Sequence, residues 1–195
     1  MEKRIRRVVT GHDQNGKSIV ISDGFATAIK TTPLWPGLRS TDIWKTNASP
    51  AAIGKDEPDP TLGPRTLHPA PQGTIIRISE VPPESEAILS LDPAKAREVF
   101  KAAGNEDAST FGRGARHPLM HRTETIDYAV VLHGEITMLL DDVDVQLRAG
   151  DVVIRLGSNH AWSNRSGKPV CMLYILIDAR SEPELAALLK TRGRE

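Results

Sequence analysis

The sequence predicts an all-β chain, a sandwich or barrel with a few short helices, and three observations carry that prediction. From His117 onward, short apolar or alternating runs recur between turn signals at regular spacing. The first half adds β-branched runs and a proline-rich stretch without apolar periodicity. Helical signals are confined to two short segments, one of them at the C-terminus.

The 195 residues suit one domain, or one domain with extra N-terminal structure. Lys plus Arg and Asp plus Glu balance at 25 each, which weighs against a nucleic-acid partner. The short basic clusters, Lys3, Arg4, Arg6 and Arg7 at the start and Lys190, Arg192 and Arg194 at the end, read as solvated terminal charge. One cysteine, Cys171, excludes an internal disulfide and a thiolate zinc site, and its apolar run marks it as a small core residue. No signal-type apolar run follows the basic start, and no stretch approaches the ~20 apolar residues of a membrane helix. The expectation is a cytoplasmic protein without a membrane partner.

Arg4 to Thr10 and Ser18 to Ser22 flank Asn15-Gly16, whose positive φ angles suit a tight hairpin. Thr41 to Thr46 reads as a short strand. Between Asn47 and Gly73 six prolines predict an irregular connection. Thr74 to Ser79 is a strand ending before Pro82-Pro83. Asp92 as N-cap, Pro93 at the first helical position and Gly104 as stop delimit a helix. Leu119 to His133 is one long extended run, or two broken near Glu124. Ile136 to Leu140, Val143 to Leu147, Val152 to Leu156, His160 to Asn164 and Pro169 to Asp178 follow as strands. Ser181 and Glu184 suggest a capping box for a last helix with Leu185, Leu188 and Leu189 as its apolar stripe. The expected organisation is an N-terminal hairpin and proline-rich arm over 1–73, a barrel over 74–180 and a helix with tail over 181–195.

Gly150, Gly157, His160 and Asn164 form Gly-x6-Gly-x-x-His-x-x-x-Asn, with Arg155 between the glycines. Upstream, His121 and Asp127 precede Gly134, and Thr123 stands two residues after His121. This stretch, Gly114 to Asn164, resembles the cupin superfamily, whose first motif runs through His-x-His, a glutamate and a closing glycine. The second motif is well matched, although Arg155 stands where that family has proline. In the first, Asp127 takes the glutamate's place and Thr123 the second histidine's. The resemblance covers roughly the last 90 residues and implies a double-stranded β-helix, or jelly-roll, barrel with an N-terminal β extension. It also implies a divalent metal, iron, manganese or zinc, held by His121, Asp127 and His160, with Trp162, Arg155 and Thr123 toward the substrate.

Strand geometry supports the grouping. In an extended run His121, Thr123, Asp127, Ala129 and Val131 share one face, as do His160, Trp162 and Asn164. Two histidines and a carboxylate suit non-haem iron and leave positions open for substrate. The bland readings stand beside these. His160 could be a core histidine bonded to Asn164 or a backbone carbonyl, and Asp127 could pair with Arg122. His117 reads as a loop residue, His133 as an exposed hairpin tip, and His12 and His68 have no sequence partners. Trp162 reads as core or as cavity wall, and Tyr128 should face outward.

The function expected is a metal-dependent small-molecule enzyme of cupin type, a decarboxylase, oxygenase or isomerase acting on a small organic acid or aromatic compound. The alternatives are a non-catalytic binding module without metal and a metal-free His/Asp acid-base enzyme. A homodimer is expected, because barrel edges need cover and the N-terminal arm can supply it.

Overall fold

A computed structural model describes residues 4–55 and 57–192. Lys3 and Arg194 of the basic clusters, and the end of the C-terminal tail, lie outside the described residues. Alternating burial sorts the strands into two sheets. The larger pairs β3 (Ile29–Thr31), β4 (Arg39–Thr46), β5 (Thr74–Val81), β11 (Val170–Asp178), β6 (Thr125–His133) and β9 (Val152–Leu156), in that order. The smaller pairs β10 (Ala161–Ser163), β7 (Glu135–Leu139) and β8 (Asp144–Arg148). All these pairings are antiparallel. Val81, Val131 and Met172 of the first sheet pack with Ile136, Met138 and Leu147 of the second, so the core lies between the two. The result is an all-β jelly-roll with few short helices.

The predicted hairpin forms as β1 (Arg6–His12) and β2 (Ser18–Phe25), closed by a turn in which Asp13 accepts the N–H groups of Asn15 and Lys17 at 2.8 and 2.9 Å. It is a separate two-stranded sheet, and every residue of β2 is exposed. β3 and β4, by contrast, are continuous with the large sheet, so the sequence before residue 74 supplies part of the barrel itself. Residues 47–73 contain no helix or strand, apart from the undescribed position 56, as the prolines predict.

Two helices follow β5. α1 (Glu86–Leu89) was not read from the sequence, being a single turn; α2 (Pro93–Ala102) starts and stops as expected. Asp92 accepts Lys95 N–H at 2.8 Å, and Gly104 takes a positive φ of 91°. Ile88 and Val99 seal the second core cluster against Leu139 and Ala161 of the small sheet.

Two expectations need correction. Leu119 to Glu124 is not strand; Pro118 and the pairing of His121 with His160 bend it away, and β6 begins at Thr125. The last helix, α3 (Pro183–Arg192), starts after the expected cap, because the Ser181 N–H is bonded to Glu124 Oε1 at 3.2 Å. Its Leu185 and Leu188 are exposed, so they form no packing stripe within this chain.

Asn164 ties the two sheets together. Its Nδ2 donates to Val81 and Lys168 carbonyls at 2.9 and 2.8 Å, and its Oδ1 accepts from the Ser166 N–H and hydroxyl. Asn164→Ala orphans these buried groups and should cost about 3 kcal/mol in urea unfolding; a loss under about 1 kcal/mol would show that water replaces the clamp.

Candidate functional site

Along β6 the inward positions change character. Ala129 and Val131 belong to the packed core, whereas Thr125 and Asp127 open onto a polar end. Asp127 lies directly across from Arg155 of β9, and the register makes them partners. Arg155 Nε donates to Asp127 Oδ2 at 2.8 Å, and one terminal nitrogen donates to the same oxygen. That nitrogen also reaches Thr125 Oγ1 at 2.8 Å and Thr123 Oγ1 at 3.0 Å, and the other donates to the Ser158 carbonyl at 3.2 Å. Both charged residues are buried, at 3 and 6% exposure. Asp127 Oδ1 is buried with no hydrogen-bond partner among the described residues.

The two histidines are brought together by backbone. Gly157, at a positive φ of 63°, donates to Thr125 O at 3.0 Å and starts the turn that returns the chain. Asn159 pins the turn by accepting from Thr110 and donating to Asp141. His121 and His160 then exchange backbone N–H···O bonds of 2.9 and 3.0 Å. Their rings stand 4.3 Å apart at 45°. Nδ1 of His121 donates to the Leu119 carbonyl at 3.1 Å, and Nδ1 of His160 to the Ser158 carbonyl at 3.2 Å. A carbonyl only accepts, so each Nδ1 carries hydrogen and Nε2 is the bare, basic nitrogen of the neutral ring.

Around this pair the side chains form an aromatic ribbon. Phe100 of α2 lies 4.8 Å from His121, Trp162 stands edge-on to His160 at 5.7 Å, and Tyr174 of β11 follows at 5.6 Å. The ribbon and Asp127 line one cavity of about 200 Å³ between the sheets. Burial first, and the Arg155 charge after it, lower His121 to about 4. Burial, His121 and Arg155 hold His160 well below its usual value. Burial, with the Asp127 charge behind it, keeps the Tyr174 phenol protonated.

Of the six residues singled out in the sequence, all converge here, but not in the expected roles. His121, His160, Asp127 and Trp162 line the cavity, while Arg155 and Thr123 lie behind Asp127 as its hydrogen-bonded support. Asn164 bonds elsewhere, so it does not orient His160. Arg122 is not the partner of Asp127. His117 places Nε2 2.8 Å from Glu84 Oε1, away from the cavity; burial raises that carboxyl, but His117 and Ser163 more than offset it and leave it lowered. His133 and Tyr128 are exposed as expected, and Cys171 is buried. Sequence reasoning missed Phe100, Tyr174 and Arg65, because a helix and a strand bring the first two in and an irregular segment the third.

The residues do not fit the implied divalent metal. Asp127 is already neutralised by a guanidinium, which also sets a fixed positive charge beside both imidazoles. Thr123 accepts from that guanidinium, and among the described residues no three of His, Cys, Asp and Glu converge as a ligand group. Arg155, standing in the proline's place, occupies the carboxylate of the expected ligand set.

Residues 109–176 match the Cupin_2 family, described as a cupin domain. These residues are a cupin domain. The chain is 57% identical over 49 residues to the phomopsin biosynthesis cluster protein D of Diaporthe leptostromiformis. That match covers 25% of this chain and about a quarter, 26%, of the relative's length. It is 26% identical over 182 residues to the cupin-domain-containing oxidoreductase FogC of Aspergillus ruber, covering 90% of this chain and 73% of that one. A solved Cupin 2 conserved barrel domain protein from Salinispora arenicola is 14% identical with a TM-score of 0.39, covering 83% of this cupin and 90% of that chain.

Because this cupin's folded state holds both imidazoles below the ordinary 6.5, the unfolded chain binds protons first as pH falls. The rings' stability is complete above about pH 6.5 and is lost toward the folded value, about 4 for His121. Urea unfolding should therefore lose on the order of 2 kcal/mol between pH 7 and pH 5 from His121 alone, with His160 adding to the loss. The loss should shrink in His121→Gln/His160→Gln; an equal slope in the double variant would place the titration elsewhere.

Proposed function

We propose that this cupin is a small-molecule enzyme that relocates a proton on a substrate held in the interior cavity, by acid-base chemistry without a metal. The observation that carries this reading is the pair of adjacent neutral imidazoles, each with Nδ1 bonded to a carbonyl. An Nε2 lone pair takes a proton from a carbon next to a carbonyl, and the C–H electrons move onto the carbonyl oxygen. Tyr174, kept protonated, donates toward that developing oxyanion, and Asp127 Oδ1 accepts from a substrate hydroxyl. Two cations cannot share rings 4.3 Å apart, so one imidazolium forms at a time. Buried beside Arg155 it is a strong acid, which favours return of the proton to another carbon. The net change is an isomerisation, with no oxidant or reductant consumed.

Deuterium wash-in from D2O, followed by proton NMR on phenylpyruvate and acetylacetone, tests this. Wild type should accelerate exchange at least tenfold over buffer, and folded His160→Gln and His121→Gln should lose most of it. Binding of such probes without any acceleration would sink the reading and leave a non-catalytic binding module.

A second reading, metal-dependent oxidoreduction, draws support from FogC, which is named an oxidoreductase. Plasma mass spectrometry separates the two. The acid-base reading expects well under a tenth of an equivalent of iron, manganese or zinc; near-stoichiometric metal lost in His160→Ala would favour the second.

We also propose a homodimer. Val20, Phe25, Val152, Ile154 and Leu156 expose apolar side chains on the hairpin and on the edge strand β9. Analytical ultracentrifugation at micromolar concentration should give twice the chain mass of 21.3 kDa, and a single monomer peak would refute it.

A further inference from the structure

The cavity wall carries a charged group that the proton-transfer chemistry leaves unused. Arg77 of β5 and Arg65 of the proline-rich segment both line it. Arg77 is fully committed. Its Nε donates to Asp42 Oδ1 at 2.6 Å, and its terminal nitrogens reach the Thr66 and Leu67 carbonyls at 2.8 and 3.5 Å. These bonds tether residues 66 and 67 to the interior strand and so place Arg65 beside it. Asp42 is shared, because Lys45 Nζ lies 2.9 Å from its other oxygen. One carboxylate therefore answers three cations, Lys45, Arg77 and Arg65.

Lys30 of β3 also lines the cavity, and of the two arginines Arg65 is the one left over. Its Nε is buried without a hydrogen-bond partner among the described residues. Burial first, and the Arg77 charge second, draw the guanidinium down to about 10, so it remains a cation at neutral pH. Its only counter-charge among the described residues is the shared Asp42, so a bound group of opposite sign would complete the neutralisation. Nor is the side chain carried on a loose loop. Gly104, at a positive φ of 91°, lets the end of α2 press onto this backbone, and a Cβ there would lie 2.6 Å from the Arg65 carbonyl oxygen. The segment is held from one side by Arg77 and from the other by α2.

We infer that Arg65 is the anion-recognition residue of the cavity, and that the molecule it receives is a small carboxylate with an aromatic or aliphatic body. The planar guanidinium fork matches a carboxylate's two oxygens. The remaining wall is largely apolar, with Trp35, Leu38, Phe100 and Trp162 available to the body of the ligand. A volume of about 200 Å³ restricts that body to less than drug size. The inference rests on the acid-base reading only for the use of the cavity as a substrate site, and it names that substrate's class.

Trp35 and Trp162 line the cavity, so intrinsic fluorescence reports occupancy. Wild-type protein is titrated with benzoate and with benzamide, its neutral counterpart of the same shape. Benzoate should bind at least tenfold more tightly. Arg65→Gln should abolish that preference while benzamide affinity stays within about twofold, and Arg65→Lys should restore part of it. Equal wild-type affinities, or a preference undiminished in Arg65→Gln, would overturn the inference. Should Arg65→Gln fail to fold, arginine-labelled wild type decides: benzoate must shift the Arg65 Nε resonance, and an unmoved resonance at saturation refutes direct contact. Deuterium exchange without a benzoate preference sinks only the carboxylate inference. A benzoate preference without exchange sinks only the acid-base reading.

Discussion

The buried pairing of Asp127 with Arg155 is the constraint on which the site depends. It joins the edge strand β9 to β6 at the point where the interior turns from apolar to polar. Burying two charges is costly, and it succeeds here because the guanidinium also meets two threonine hydroxyls and a backbone carbonyl. The same Ser158 carbonyl accepts from His160 Nδ1, so the ion pair and the orientation of the imidazole are mechanically linked. Burial keeps both histidines neutral, and the Arg155 charge adds to it.

From that constraint follows the departure from a metal centre. A carboxylate engaged by a guanidinium is a poor donor to a cation, and a permanent positive charge next to two imidazoles opposes a second one. What remains is a pair of neutral bases with defined tautomers in an aromatic-walled cavity, one free carboxylate oxygen and a protonated phenol. The proline-rich segment, which has no regular structure, contributes to the same cavity through Arg65, because Arg77 and Gly104 clamp its backbone from both sides.

Local chemistry explains which parts of the fold were legible. The Asn15-Gly16 hairpin, the Asp92, Pro93 and Gly104 boundaries of α2 and the strands after Gly134 are decided by residues close in sequence. The failures were competitions that sequence does not display. Glu124 took the Ser181 N–H that a capping box would have used, and the backbone bridge from His121 to His160 displaced a continuous strand before Thr125. Within the site, His121, Asp127 and His160 line one cavity, yet spacing could not show that the nearest partner of Asp127 was a cation.

By itself, then, the sequence determined the strand and turn pattern and a sandwich-or-barrel class, since these follow from period-two burial and turn residues, while the jelly-roll and the grouping of His121, Asp127 and His160 were what the resemblance to cupins implied. Only the tertiary structure decided their chemistry. Cross-strand register set Arg155 against Asp127, the 157–159 turn brought the two imidazoles together, and a clamped irregular segment left the Arg65 Nε without a hydrogen-bond partner among the described residues. Hydrogen-bond partners and local dielectric are properties of the assembled neighbourhood, and those two quantities set protonation state and ligand preference.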